Sequence, residues 1–379
     1  MWMRIHIIAG TLNAQGGGEL VTVAFIRFIT EQAKEVYLYT IDEPDPTIIY
    51  TFPLEFTRTL RYVRFRPLGM VYAKTLWRGA PYIRLLRMFL TLNGKEELVV
   101  NLSADTVPIP AHICFVHFPY FGVGLNPTLR SKGRKVAHLT TLKLCRLVLV
   151  NSNFTREVLC HISPDICKKT LVLYPPILIE PISDDALLRS LAERDNMVLT
   201  VSRFSKEKKL ETVLDIAQRV KQSRFVIVGT LIDINYYKCL KERIAREGLN
   251  NVELMPNLTF RELHALRRRC KIYLHTMPYE HFGISIVEAM ASGCVPVVHK
   301  SGGPWQDILE QKEECGYAYE SIDEASTKIE KLLTDPEVYL EKSLATIRRS
   351  RRFTYELFKD SLASVLKMLT VQRLFSTEV

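Results

Sequence analysis

The sequence predicts an α/β protein built from two successive parallel-sheet halves. Three observations carry that expectation. The first is residues 271–299: an apolar run at 271–277, the loop Pro278-Tyr279-Glu280-His281-Phe282-Gly283, helical spacing stopped by Gly293, and a short apolar run at 295–299. Strand, loop, helix and strand make a parallel-sheet unit, and such units take ligands at the carboxyl ends of their strands. The second is that short apolar runs alternate with helical spacing throughout, pause at Pro175-Pro176 and restart at 196. The third is size: 379 residues suit two domains better than one core, and 47% hydrophobic with 24% charged residues is a globular composition.

In chain order, 4–9 is a first strand running into Asn13-Ala14-Gln15-Gly16-Gly17-Gly18-Glu19 and a helix carrying Leu20, Val23, Ala24, Ile26 and Phe28. Glycines between strand and helix let a ligand approach the backbone, and the helix amino end favours an anion. The spacing is neither the G-x-G-x-x-G dinucleotide fingerprint nor a phosphate loop ending in Gly-Lys-Ser/Thr, which disfavours a nicotinamide dehydrogenase or an ATPase. Strands are expected at 35–39 and 47–52. Residues 65–91 interleave Arg66, Lys74, Arg78, Arg84 and Arg87 with Leu, Met, Ile and Phe, the pattern of amphipathic helices lying on an anionic membrane or turned into the core. Strands follow at 97–102 and 111–116, the latter opening into His117-Phe118-Pro119. A helix ends near 144, a strand spans 146–151, Ser152 or Asn153 caps the next helix, and 171–174 closes the first half.

The second half repeats the construction without a visible sequence repeat. Its strands are expected at 196–201, 224–228, 252–255, 271–277 and 295–299, with an edge strand at 317–319. Asp184, Asp185 and Asp195 are read as solvent-facing residues beside the linker. Asp335-Pro336 starts a helix to 349, and 355–369 is a last helix with Leu357, Phe358, Leu362, Val365, Leu366 and Leu369 on one face.

The formal net charge of +10 favours an anionic partner. The basic runs Arg267-Arg268-Arg269 and Arg348-Arg349-Ser350-Arg351-Arg352 come with no recognition motif, so solvated helix faces are expected there and nucleic-acid binding is not. Eight dispersed cysteines make no C-x-x-C or closely spaced metal set, which argues against structural zinc and leaves a disulfide open. The opening segment is too short for a signal peptide, and no apolar run approaches the roughly 20 residues that cross a bilayer. The expectation is a soluble protein or one held at a membrane surface.

The chemistry concentrates at Arg203, Lys208, Glu280 and Glu288, with His117 from the first half. Glu280 and Glu288 flank the free N–H groups of Phe282, Gly283 and Ile284 at a helix start, a place for phosphate. Arg203 can make paired charged hydrogen bonds to phosphate and Lys208 adds a mobile point charge. Two carboxylates around an anion site fit a ligand with hydroxyls at both ends and a diphosphate between, which is the shape of a sugar nucleotide. Arg203, Lys208 or Glu280 alone reads more often as a surface charge, but Glu288 sits between Val287 and Ala289, where a carboxylate needs a partner or a ligand. No D-x-D lies at a strand end, so the positive clamp stands in place of a metal and no cofactor is obligatory.

Glu280 and Glu288, separated by seven residues, together with Arg203-Phe204-Ser205-Lys206-Glu207-Lys208, resemble the signature of retaining family-4 glycosyltransferases of GT-B fold. Gly16-Gly17-Gly18-Glu19, His117-Phe118-Pro119, Ser301-Gly302-Gly303-Pro304 and Glu280-His281-Phe282-Gly283 extend the likeness to the alpha-1,2-mannosyltransferases of lipid-linked oligosaccharide assembly. The resemblance implies two Rossmann-like domains facing across a cleft that closes over the donor. The first, 1–176, is completed by a C-terminal helix at 355–379, and the second, 177–354, binds the nucleotide sugar. It implies that Glu280 holds donor-sugar hydroxyls, Glu288 the ribose, and Arg203 and Lys208 the diphosphate. Backbone around Gly16, Gly17, Phe282, Gly283 and Ile284 assists them, and His117 lies near the transferred sugar. It further implies GDP-mannose as donor, a polyprenyl-linked glycan as acceptor, and a cytoplasmic enzyme peripheral to the membrane. Neither glutamate is expected to be a covalent nucleophile. The alternatives are a retaining transferase using UDP-glucose or UDP-N-acetylglucosamine, and a noncatalytic subunit that binds sugar nucleotides.

Overall fold

The computed structural model describes residues 2–13, 16–42, 45, 63–67, 97–123 and 129–375. Contacts divide the chain into two units, Met1–Pro176 with Tyr355–Val379, and Ile177–Thr354.

Among the described residues, unit 1 contains β1 (Trp2–Ile8), α1 (Gly17–Thr30), β2 (Ala33–Thr40), β3 (Val63–Pro67), β4 (Glu97–Asn101), β5 (Ile113–Val116), α2 (Leu129–Leu144), β6 (Leu147–Val150), α3 (Asn153–Ile162), the single turn α4 (Pro164–Cys167) and β7 (Thr170–Val172). The strands form one sheet in the order β3-β2-β1-β4-β5-β6-β7, all pairs parallel. Strands such as Leu147-Val148-Leu149-Val150 are buried on both faces, so their near-continuous aliphatic runs follow from lying between helices. The cap expected at Ser152 or Asn153 is Ser152, whose Oγ accepts from Thr155 N–H at 3.0 Å. Asn153 instead donates to the Tyr174 hydroxyl at 2.8 Å.

Unit 2 contains α5 (Asp184–Ser190), β8 (Asp195–Val201), α6 (Glu211–Arg219), β9 (Arg224–Gly229), α7 (Ile234–Glu247), β10 (Val252–Pro256), α8 (Phe260–Arg269), β11 (Cys270–His275), α9 (Ile284–Ala291), β12 (Val295–His299), β13 (Tyr317–Tyr319), α10 (Ile322–Thr334) and α11 (Pro336–Ser350). Its sheet order is β10-β9-β8-β11-β12-β13, again parallel. Val198, Phe225, Ile272, Leu274, Val295 and Val297 are fully or almost fully buried with Leu214 and Ala217 of α6 in one core. Asp335 starts α11 as expected, its carboxylate accepting from Val338 N–H at 3.1 Å with Pro336 next in line. The last helix, α12 (Tyr355–Phe375), belongs to unit 1; its Tyr355, Phe358, Leu362, Val365, Leu366 and Leu369 are buried, and the Arg27 guanidinium of α1 lies 4.6 Å from the Tyr355 ring centre.

Three expectations change, and one open question closes. Helix spacing was expected from residue 65, yet Val63–Pro67 is a strand paired with β2, its alternation of Val, Arg, Phe and Arg having period two. The remainder of that basic-apolar region and the strand expected at 47–52 lie outside the described residues. Asp184 and Asp195 are not merely solvent-facing: Asp184 opens α5 and pairs with Arg348 and Arg351 at 3.3 and 3.1 Å, and Asp195 pairs with Arg269 at 2.7 Å, while Asp185 is exposed as expected. The basic runs are therefore not plain solvated faces. Arg349 donates to the Ile308 and Asp307 carbonyls at 2.8 and 2.6 Å, and Arg267 is 1% exposed. The open disulfide question resolves to one bond, Cys160–Cys167, joining α3 to α4. Among the described residues no helix is long and apolar enough to cross a membrane.

Candidate active site

Each sheet reverses its strand order once, between β1 and β4 in unit 1 and between β8 and β11 in unit 2. Crevices form beyond the carboxyl ends of strands at such reversals. In unit 2 the two flanking loops are those singled out above. The loop after β8 carries Arg203 and Lys208, and the loop after β11 carries Glu280 and leads into α9.

Lys208 and Glu280, 72 residues apart in sequence, form an ion pair with Nζ 2.7 Å from Oε2; both side chains are 14% exposed. The ammonium also lies 3.1 Å from Met277 Sδ, and the Thr276 hydroxyl donates to the Lys208 carbonyl at 2.8 Å. The second carboxylate oxygen, Oε1, accepts from His281 N–H at 3.2 Å. His275 Nε2, at the end of β11, stands 3.4 Å from the same Oε2 that Lys208 holds. Burial alone would raise the Glu280 carboxyl, but the His275 contact and the Lys208 charge override it and hold it well below the usual carboxylate range. Glu280 is thus an ionised group in a nearly dry place, suited to accepting from hydroxyls. Arg203 is open to solvent, 3.6 Å from Glu207, and its guanidinium is free to turn toward an anion.

Glycines hold both loops close to their neighbours. A Cβ on Gly229 would fall 1.7 Å from the Ser202 carbonyl oxygen, so only glycine lets the end of β9 lie under the Arg203 loop. Gly302 has φ +68°, and a Cβ there would meet the Glu280 carbonyl oxygen at 2.5 Å. Gly303 N–H donates to that same carbonyl at 2.8 Å, and Tyr279 N–H donates to Ser301 Oγ at 2.9 Å, so Ser301-Gly302-Gly303-Pro304 is a cradle for the Glu280 loop. Gly229→Ala should displace the Arg203 loop, with a stability loss of about 1–3 kcal/mol, the range for overpacking. The check is urea unfolding together with nucleotide affinity; wild-type values for both would show that the loop is not held this way.

Glu288 lies in the middle of α9. Its carboxylate is bonded to Arg267 Nη2 of α8, in a pair whose arginine is 1% and whose glutamate side chain is 10% exposed. The partner that a buried Glu288 requires is supplied by the protein itself. Arg267 Nε and Nη1 are buried with no hydrogen-bond partner. Beside them the Tyr273 hydroxyl donates to the Val201 carbonyl at 3.1 Å and accepts from Ser285 at 2.7 Å, joining β11, β8 and the first turn of α9. That turn begins at Gly283, with φ +98° and no side-chain cap. Ile286 N–H donates to the Gly283 carbonyl at 3.0 Å, while the N–H groups of Gly283 and Ile284 precede any intrahelical acceptor.

Unit 1 carries its candidates at its own carboxyl edge. Gly16 and Gly17 follow β1, but Gly16 N–H already donates to Glu19 Oε2 at 2.8 Å, which withdraws that amide from the anion-binding set expected there. His117 follows β5, and its Nε2 lies 3.0 Å from the Leu102 carbonyl oxygen. A carbonyl can only accept, so Nε2 bears the hydrogen and Nδ1 is the nitrogen left for other contacts. Gly18 packs against this ring, a Cβ there meeting it at 3.5 Å.

Sequence reasoning missed Arg267 and His275. For Arg267 there was a signal: it falls seven residues after Phe260 and four after Leu263, on the apolar stripe of its helix. For His275 the signal was its place at the end of a buried strand, five residues before Glu280.

Residues 188–352 match the family of glycosyl transferases group 1. The chain is 26% identical over 430 aligned residues to the GDP-Man:Man(3)GlcNAc(2)-PP-Dol alpha-1,2-mannosyltransferase of Dictyostelium discoideum, covering 96% of this chain and 84% of that one. The protein of the same name from Xenopus laevis is 26% identical over 416 residues, 92% and 83% of the two chains. Among solved structures, Anabaena Alr3699/HepE in complex with UDP and glucose superposes with a TM-score of 0.73 at 19% identity, over 97% of this chain and 100% of that one. Sucrose-phosphate synthase from Thermosynechococcus elongatus gives 0.72 at 17%, over 98% and 100%. The two parallel-sheet units are those of the GT-B fold.

Proposed function

We propose, for a chain that is a glycosyltransferase of GT-B fold by its group 1 domain and its relatives, that it moves mannose from GDP-mannose onto a lipid-linked oligosaccharide, forming an alpha-1,2 bond with the anomeric configuration retained. The observation that carries the site reading is the Lys208–Glu280 pair beside Arg203 at the strand-order reversal of unit 2, within the group 1 domain. The names of the relatives carry the choice of donor and acceptor.

In this reading Glu280 accepts hydrogen bonds from hydroxyls of the donor sugar, and the diphosphate lies between Arg203, Lys208 and the amino end of α9. Lys208 turns from Glu280 toward the phosphates as the donor enters, and the two cations stabilise the charge that gathers on the departing nucleoside diphosphate. They do so without a metal. Glu288, oriented by Arg267, holds the ribose. The acceptor hydroxyl attacks on the face the diphosphate leaves, the leaving phosphate taking its proton, so that no sugar becomes attached to the protein. Because the acceptor is carried on a lipid, the enzyme works at a membrane surface.

The test is a panel of GDP-mannose, UDP-glucose and UDP-N-acetylglucosamine with polyprenyl-diphosphate oligosaccharides, followed by linkage analysis of the product. Alpha-1,2-linked mannose supports the reading. Turnover with a UDP-sugar alone overturns the donor and keeps the transferase, whereas donor binding without transfer or hydrolysis points to a noncatalytic subunit.

A further inference from the structure

We propose that His275 is a positioning residue for Glu280: its Nε2–H holds the carboxylate that holds the donor sugar, so that Glu280 keeps its place when Lys208 leaves it for the diphosphate. The proposal rests on reading Glu280 as the sugar-holding group.

Both oxygens of Glu280 are occupied, Oε2 by Lys208 and His275 and Oε1 by the neighbouring His281 N–H. Of these partners only Lys208 has another anion to serve once a donor is bound. An ionised carboxylate left without its cation in so buried a place is costly unless another donor remains. His275 is that donor, and it is built not to move. Its main-chain carbonyl accepts from the Tyr319 hydroxyl at 3.0 Å, it pairs in register with Val298 on β12, and its side chain is 7% exposed.

The tautomer follows from its other nitrogen. Nδ1 is buried with no hydrogen-bond partner. A carboxylate only accepts, so Nε2 carries the hydrogen and Nδ1 is left as a lone pair, which spares the site a buried N–H without an acceptor. A second histidine supports the same loop from the next strand: His299 Nδ1 lies 2.7 Å from the Ser301 hydroxyl, which accepts from Tyr279 N–H. The titratable groups facing Glu280 are then Lys208, His275 and His281, with His299 behind His275.

The test compares wild type, His275→Ala, His275→Gln and Glu280→Gln, using whichever nucleotide sugar the wild type binds. His275→Ala should weaken that nucleotide sugar by about tenfold or more, the scale on which groups behind a ligand act, and weaken the free nucleoside diphosphate by a smaller factor, since the diphosphate draws Lys208 away but asks nothing of Glu280 as a sugar-holding group. His275→Gln, whose amide N–H reaches the place of Nε2, should recover most of the loss. The acid limb of the kcat/KM profile should move to higher pH in His275→Ala, because Glu280 loses a donor that favours its ionised form. Equal weakening of nucleotide sugar and diphosphate, or an acid limb left in place, overturns the proposal. Glu280→Gln with wild-type affinity for the nucleotide sugar overturns the underlying reading instead. Should His275→Ala not fold, histidine-labelled 15N spectra of the wild type decide. The His275 ring signals should report Nε2–H and move further with nucleotide sugar than with diphosphate alone; equal movement with both rejects the proposal.

Discussion

Glu280→Gln lowers kcat/KM for transfer by about 100- to 1000-fold, the range seen when one preorganised electrostatic contact is removed from an active site. The substitution keeps size and shape and removes one negative charge. Two consequences add. The sugar hydroxyls lose an ionised acceptor, and Lys208, which Glu280 now holds at 2.7 Å, is left without its buried counter-charge. Steady-state rates with GDP-mannose and a lipid-linked acceptor give the size of the effect. Intact mass measurement gives the mechanism: neither wild type nor Glu280→Gln should carry a covalent sugar. An adduct on Glu280 or Glu288 would make one of them a nucleophile, as in retaining glycosidases, and reject the same-face scheme.

Arg267→Met destabilises unit 2 by about 3–5 kcal/mol, the cost of leaving one member of a buried ion pair alone. The pair is unusual because the arginine is so fully enclosed while two of its nitrogens have no acceptor. The native arrangement is therefore incompletely compensated, and the double change Arg267→Met with Glu288→Leu should return most of the lost stability, since apolar pairs often replace buried ion pairs without loss. The stabilised double variant should still fail to bind the nucleotide, because the group proposed to hold the ribose is gone. Denaturant midpoints and nucleotide titration on the two variants separate the roles. A double variant as unstable as Arg267→Met would show that the pair is not the cause of the single-variant loss. One that binds nucleotide normally would confine Glu288 to structure.

How far the sequence alone reached depends on how local each feature is. The strand Val295–His299 and the start of α11 at Asp335-Pro336 were legible because glycine, proline and capping residues write their boundaries into neighbouring positions. The edge strand Val63–Pro67 was misread because its arginines join a longer basic-apolar stretch whose spacing also suits a helix. At the candidate site the residue types were legible and their partners were not. Glu280 was expected in a loop after a strand and lies in one, yet its contacts with Lys208 and His275 depend on two strands lying side by side. Glu288 was expected to need a partner, and Arg267, 21 residues earlier, was assigned to solvent because it sits in a run of three arginines. A charge run conceals the one member that its helix turns inward.

The division of the chain also has a consequence for synthesis. Unit 2 is one continuous stretch, Ile177–Thr354, whereas unit 1 takes its last helix from beyond that stretch. On the ribosome unit 1 is therefore completed only after unit 2. A nascent chain released after residue 354 would carry a complete second unit and a first unit lacking the helix that buries Phe358 and Leu362. Premature termination soon after residue 354 should therefore spare unit 2 and mark the product for disposal through unit 1.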